Sequence, residues 1–74
     1  MQIRWEDGFS LRVRTDGGTA TISANREGLL SLARQLADLA GERPGSHIHY
    51  DEGNALEDGS DELIVELIGP VSRR

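Results

Sequence analysis

Two histidines and a carboxylate alternate along one short stretch of the chain, as His47, His49 and Asp51. On a β-strand successive side chains point to opposite faces, so these three groups share one face. Imidazole and carboxylate groups in such a row are ligands in many metal sites, and Glu66 is the obvious candidate for a further ligand. The alternative is a polar sheet face with two exposed histidines. We favour it because the pattern lacks a closed ligand set, and we expect no metal and no cofactor.

Six carboxylates lie in or beside the loop that follows, residues 53–60, which we call the acidic loop. The loop does not have the ligand pattern of a calcium-binding EF-hand, because Gly53 and Ala55 stand at the third and fifth ligand positions. An acidic run of this kind is either the solvated end of a hairpin or a docking patch for a basic protein surface. Ser60 lies in a Gly-Ser turn and no histidine–acid arrangement supports it as a nucleophile, so we expect no enzyme activity. The predicted partner-binding residues are His47, His49, Asp51, Glu52, Glu57, Asp58, Asp61 and Glu62.

Composition narrows the classes of protein to consider. The 74 residues carry a net charge of −5, which argues against nucleic acid as the primary ligand. No apolar run reaches transmembrane length and the first residues lack an apolar secretory core, so we expect a cytoplasmic protein that does not bind membranes. Without cysteine, a single small domain over residues 1–74 depends on a thin aliphatic core, and a homodimer would supplement it.

The elements that must position these groups follow from the hydrophobic pattern. Alternating segments separated by turn residues predict a meander of three strands before the helix. Two more alternating segments enclose the acidic loop, and the tail over residues 69–74 should fray. The five predicted strands are Met1–Glu6, Phe9–Arg14, Thr19–Ala24, Ser46–Glu52 and Asp61–Ile68.

A helix is predicted over Arg26–Ala40, with Asn25 as its N-cap and Gly41 after its end. Its apolar positions form one stripe, which we expect to face the core, whereas Ser31 and Gln35 should face away. The stripe consists of Leu29, Leu32, Ala33, Leu36, Leu39 and Ala40.

The fold class is therefore α+β, a small antiparallel sheet in the order β-β-β-α-β-β with one helix packed on one face. The other sheet face has no cover in this arrangement. Ile64 and Ile68 lie on that face beside the histidines, which indicates a second copy of the chain or another protein as its cover.

Three quoted stretches resemble a known family. They are Leu29–Ala37 (LLSLARQLA), Gly45–Glu52 (GSHIHYDE) and Leu56–Glu66 (LEDGSDELIVE), and together they resemble the immunity protein 32 family. Its members are small bacterial proteins expected to neutralise the toxin domains of polymorphic toxin systems. The resemblance implies a protein partner and supplies no catalytic residues.

We therefore expect a non-catalytic protein-binding module of the immunity type, which neutralises a cognate toxin by occlusion. Carboxylates of an acidic inhibitor can take phosphate positions in a basic cleft. Two alternatives remain open. One is a metal-binding domain that uses His47, His49 and Asp51, and the other is a homodimer without a ligand, formed through the open sheet face.

Overall fold

The computed structural model describes residues 1–71 and has an α+β architecture. The predicted fold class is confirmed, with one predicted strand fewer: the order is β-β-α-β-β. The elements are β1 (Leu11–Asp16), β2 (Thr19–Ala24), α1 (Arg26–Ala40), β3 (His47–Tyr50) and β4 (Leu63–Glu66).

The predicted N-terminal strand and the single sheet are wrong. Instead, β1 pairs with β2 and β3 pairs with β4, in two antiparallel sheets of two strands each. In the turn after Glu6 only Gly8 has a positive φ, so the type I′ geometry that fits a two-residue hairpin is absent. Both Gly17 and Gly18 have positive φ, of 54° and 85°, and there the hairpin closes. The predicted open sheet face is consequently divided between two sheets.

The segment over residues 56–61 holds the first sheet to the second. Its backbone lies along the outer edge of β1, where Glu57 N–H donates to the Leu11 carbonyl (2.9 Å) and Asp61 N–H donates to the Val13 carbonyl (2.8 Å). The Ser60 hydroxyl accepts from Val13 N–H at 3.3 Å. These bonds satisfy the Leu11 carbonyl and both backbone groups of Val13, which face away from β2 and belong to buried residues.

The helix has the predicted bounds and the predicted N-cap. The Asn25 side chain accepts from Gly28 N–H (2.8 Å) and also from Ser10 N–H (2.9 Å), so it fixes the helix start against the segment before β1. That segment comes very close to the helix. A Cβ added at Gly28 would lie 2.3 Å from the Ser10 carbonyl oxygen, so only glycine fits at this position.

The buried face of α1 differs from the predicted stripe. Leu32 and Leu39 are buried as expected, but Leu29 and Leu36 are 52% and 38% exposed, and Ala33 and Ala40 are exposed too. Ser31 and Gln35, predicted to face away, are each only 1% exposed. Both have buried polar groups with partners: the Ser31 hydroxyl accepts from Glu6 N–H, and the Gln35 amide donates to the Arg4 carbonyl. The helix is turned so that these two side chains bind the N-terminal segment.

One small core joins the two sheets and the helix, and Trp5, Ala24, Ala55, Leu63, Val65 and Leu67 pack against it. Its buried members are Leu11, Val13, Leu32, Leu39, Ile48, Tyr50 and Leu56.

Among residues 1–71 no helix is long and apolar enough to cross a membrane. Of the tail predicted to fray, residues 69–71 have no regular secondary structure, and residues 72–74 lie outside the described residues.

Candidate functional site

The histidine pair lies where the alternation places it. His47 and His49 are exposed on one face of β3, with ring centroids 5.0 Å apart, whereas Ile48 and Tyr50 are buried on the other face. The Nδ1 atom of His49 lies 3.8 Å from a carboxylate oxygen of Glu62. The two rings therefore form an exposed polar patch whose edge meets the acidic loop.

The predicted third member of this row does not join the histidines. Asp51 follows the end of β3, and its carboxylate accepts from Gly53 N–H at 2.8 Å. Its carbonyl accepts from the N–H groups of Ala55 and Leu56, and Asn54 bonds back to Asp51 N–H. Asp51 thus shapes the turn that leaves the strand. Within residues 1–71 no three histidine, cysteine, aspartate or glutamate side chains are grouped to hold a metal ion.

Two further predicted residues also hold the loop together. The Asp61 carboxylate accepts from both the backbone N–H (2.7 Å) and the hydroxyl (3.0 Å) of Thr15. The backbone hydrogen bond from Thr15 is the main reason that the pKa of Asp61 lies below its usual value. The Glu52 carboxylate accepts from Gly59 N–H across the loop. Half of the six carboxylates therefore have structural partners.

The other three, Glu57, Asp58 and Glu62, are exposed, and we call them the outer carboxylates. Over residues 1–71, the side chains of Glu57 and Asp58 make no hydrogen bond or ion pair, and Glu62 has only the distant His49. The backbone that carries these carboxylates is fixed to β1 by the bonds at Leu11 and Val13. The result is a set of negative charges on an ordered backbone, which is suited to electrostatic recognition.

An apolar hollow that the sequence pattern does not predict lies beside His49. Its volume is about 300 Å³, and its wall includes the rings of Trp5 and Tyr50, which meet edge to face at a centroid distance of 6.0 Å. His49 and Asn54 supply its polar rim. The other lining residues are Ile3, Ile48 and Ala55. Trp5 was the available signal, but its place beside Tyr50 depends on the N-terminal segment lying across the helix.

Beside the helix lies a second, polar groove of about 490 Å³. In it Arg34 forms an ion pair with Glu6 at 2.5 Å, and Arg4 donates to the Gln2 side chain. The groove is lined by two arginines and two carboxylates, whose charges balance, whereas the acidic loop has a net negative charge. The hollow and the outer carboxylates form the stronger candidate site. His49 links them, because it lines the hollow and its Nδ1 atom lies 3.8 Å from the Glu62 carboxylate. Apolar contacts bordered by polar groups are typical of protein interfaces.

Comparison with known proteins supports one family. The model of the family described as Immunity protein 32 matches residues 19–68, which include α1, β3, the acidic loop and β4. No curated protein and no solved structure matches the chain. The matched range contains all of the outer carboxylates and both histidines, whereas Ile3 and Trp5 of the hollow lie before it.

Proposed function

Because the chain belongs to the immunity protein 32 family, we propose that it neutralises a cognate bacterial toxin by binding it without catalysis. The outer carboxylates and the apolar hollow form the proposed contact surface. The carboxylates would face basic side chains of the toxin, and the hollow would accept one of its apolar side chains. Affinity would then come from the apolar contact, and rate of association and specificity from the charges.

The observation that carries this proposal is the bonding of the acidic loop. Asp51, Glu52 and Asp61 use their carboxylates to hold the loop, and the backbone pairs with β1. A loop that is already ordered loses little conformational entropy when it binds a partner. The arrangement thus favours a preformed recognition surface over a merely solvated hairpin end.

The charge of the chain favours a basic target. With a net charge of −5, the protein would be attracted to a toxin with a positive cleft, such as one that acts on nucleic acid. The outer carboxylates would take the positions of substrate phosphates there, so that binding and inhibition are the same event. We propose this class of toxin, with occlusion as the mechanism.

A growth assay with candidate toxin domains from the neighbouring genes tests the proposal. The parent protein should restore growth when it is co-expressed with the toxin. The variant with Glu57→Gln, Asp58→Asn and Glu62→Gln should protect poorly, and Ala55→Leu, which fills the hollow, should also protect poorly.

The matched control neutralises three exposed carboxylates elsewhere, with Asp16→Asn, Asp38→Asn and Glu42→Gln. Both triple variants have the same net charge, so the control separates a local contact from overall charge. Equal protection by both triple variants, together with full protection by Ala55→Leu, would contradict the proposed surface. Absence of any protection by a folded parent would contradict the toxin-neutralising role.

A further inference from the structure

The first sheet has one edge that is covered by other backbone and one that is not. The outer edge of β1 is covered by residues 56–61, whose contacts involve the backbone groups of Leu11, Val13 and Thr15. In an antiparallel pair of strands, two residues directly opposite each other either both direct their N–H and C=O groups toward the partner strand or both direct them away from it. The partners of those three residues in β2 are Ala24, Ile22 and Ala20. Their backbone groups therefore face outward, at an edge where β2 has no strand neighbour within residues 1–71.

This edge also lacks the features that prevent strand pairing. Natural edge strands are protected by charges, proline, bulges or short length. The sequence of β2 is TATISA, six residues without charge or proline, paired with β1 in an unbroken register. All but its last residue are exposed, and Ile22 remains 42% exposed although it lies opposite the buried Val13. The edge is thus both long and unprotected.

Another unpaired edge, on β4, provides a contrast. Leu67 and Ser46 continue the pairing of β3 with β4, so alternation leaves the backbone groups of Ile64 and Glu66 facing outward. Ile64 is 52% exposed, but Glu62 and Glu66 flank it on either side. Carboxylates at those positions oppose the approach of an identical, acidic chain.

The surface area of the chain is large enough to include an interface. Folded monomers follow a scaling with mass that gives about 4,500 Å² for 8.1 kDa. This chain exposes 5519 Å², roughly 1,000 Å² more than the scaling predicts. A stable interface buries about 800 Å² on each partner, so the excess has the size of one such contact.

We infer that the outer edge of β2 pairs with β2 of a second copy of this chain, which forms a continuous four-stranded antiparallel sheet. Between Asp16 and Glu27 the only charged residue is Arg26, so two chains of net charge −5 repel each other least here. A two-fold axis at Ile22 places this residue opposite Ile22 of the second copy and Ala20 opposite Ala24. All of the outward backbone groups then bond across the axis.

This dimer leaves the proposed toxin-binding surface accessible, and the inference does not depend on the proposed function. The segment with Glu57 and Asp58 lies at the β1 edge of the sheet, and the new interface lies at the opposite, β2 edge. Each dimer would therefore present two copies of the outer carboxylates. The interface differs from the homodimer expected from sequence, which used the open face with Ile64 and Ile68.

Sedimentation equilibrium of the purified full chain, over micromolar to millimolar concentrations, tests the inference. The parent should approach twice its monomer mass of 8.1 kDa as concentration rises. Ile22→Lys should shift the dimer to monomer, whereas Ile64→Lys, an equally outward isoleucine at the other edge, should leave it unchanged. Circular dichroism checks that each variant is folded.

A backbone variant keeps the test valid if Ile22→Lys fails to fold. The chain is short enough for chemical synthesis with N-methyl-Ile22, which removes an outward N–H and leaves the side chain and the pairing with β1 in place. Two such hydrogen bonds per dimer are lost, so self-association should weaken by about tenfold or more, with N-methyl-Ile64 as the control. A parent that stays monomeric, or a dimer that responds to the Ile64 changes as much as to the Ile22 changes, would overturn the inference.

Discussion

Gln35 connects three parts of the structure, and its removal tests which face of α1 is buried. Its side chain amide donates to the Arg4 carbonyl at 2.8 Å, and its carbonyl oxygen accepts from the Tyr50 hydroxyl at 2.8 Å. Gln35 and Tyr50 are each 1% exposed. Gln35→Ala would leave the Tyr50 hydroxyl buried without an acceptor, whereas the carbonyl of the exposed Arg4 can turn to water.

The expected cost follows from these contacts. A buried hydroxyl without a partner costs about 1–3 kcal/mol, and the loss of the packed side chain adds about 1 kcal/mol. We expect Gln35→Ala to lower the free energy of unfolding by about 2–4 kcal/mol. A domain of this size has about 4–11 kcal/mol in total, so the loss is a large part of its stability. By contrast, Leu36→Ala, at a position 38% exposed, should cost about 1 kcal/mol or less.

Urea unfolding followed by the fluorescence of the single tryptophan, Trp5, measures both values at one fixed protein concentration. Tyr50→Phe, alone and combined with Gln35→Ala, completes a double-mutant cycle that isolates the buried hydrogen bond, for which we expect a coupling of about 1 kcal/mol. A larger loss for Leu36→Ala than for Gln35→Ala would refute the reasoning, because the helix would then bury its leucine stripe.

Three other predictions concern single groups. Burial raises the pKa of Tyr50, so its contribution to stability is full below the unfolded pKa near 10 and falls as pH rises through the folded value. The free energy of unfolding, measured at alkaline pH, should therefore depend less on pH in Tyr50→Phe than in the parent. Gly28→Ala should lower the melting temperature, because the added Cβ would clash with the Ser10 carbonyl oxygen. In a solvent-exposed helix the same change stabilises by about 1 kcal/mol, so a higher melting temperature would contradict this prediction. The lowered pKa of Asp61 gives stability that is present above its unfolded pKa and is lost as pH falls through the folded value. Asp61→Asn should therefore flatten the acid side of a curve of unfolding free energy against pH. An unchanged curve would show that the Thr15 hydrogen bonds do not cause the loss of stability in acid.

Local signals predicted much of the fold. The bounds of α1 and β2 follow from an N-cap, a stop signal and alternation, all of which are encoded within a few neighbouring residues. The rotation of the helix could not be predicted this way. Ser31 and Gln35 are buried because their partners are the backbones of Glu6 and Arg4, more than twenty residues away along the chain. A hydrophobic pattern contains no information on such distant polar partners.

The same reason explains which part of the candidate site was predicted. Alternation placed His47 and His49 on an exposed face, as the structure has them. It could not distinguish Asp61, which binds Thr15, from Asp58, which binds no side chain or backbone group within residues 1–71. The eight predicted partner-binding residues therefore form two groups, one that shapes the loop and one that remains outward.

Association kinetics with the toxin domain that the growth assay identifies test the central claim most directly. In stopped-flow measurements at low salt, the variant with Glu57→Gln, Asp58→Asn and Glu62→Gln should associate about ten times more slowly than the parent, because steering depends on these charges. The control with Asp16→Asn, Asp38→Asn and Glu42→Gln should stay close to the parent, and added salt should bring all three rates together. Equal slowing of both triple variants, or no slowing of either, would contradict the claim that the outer carboxylates meet the toxin.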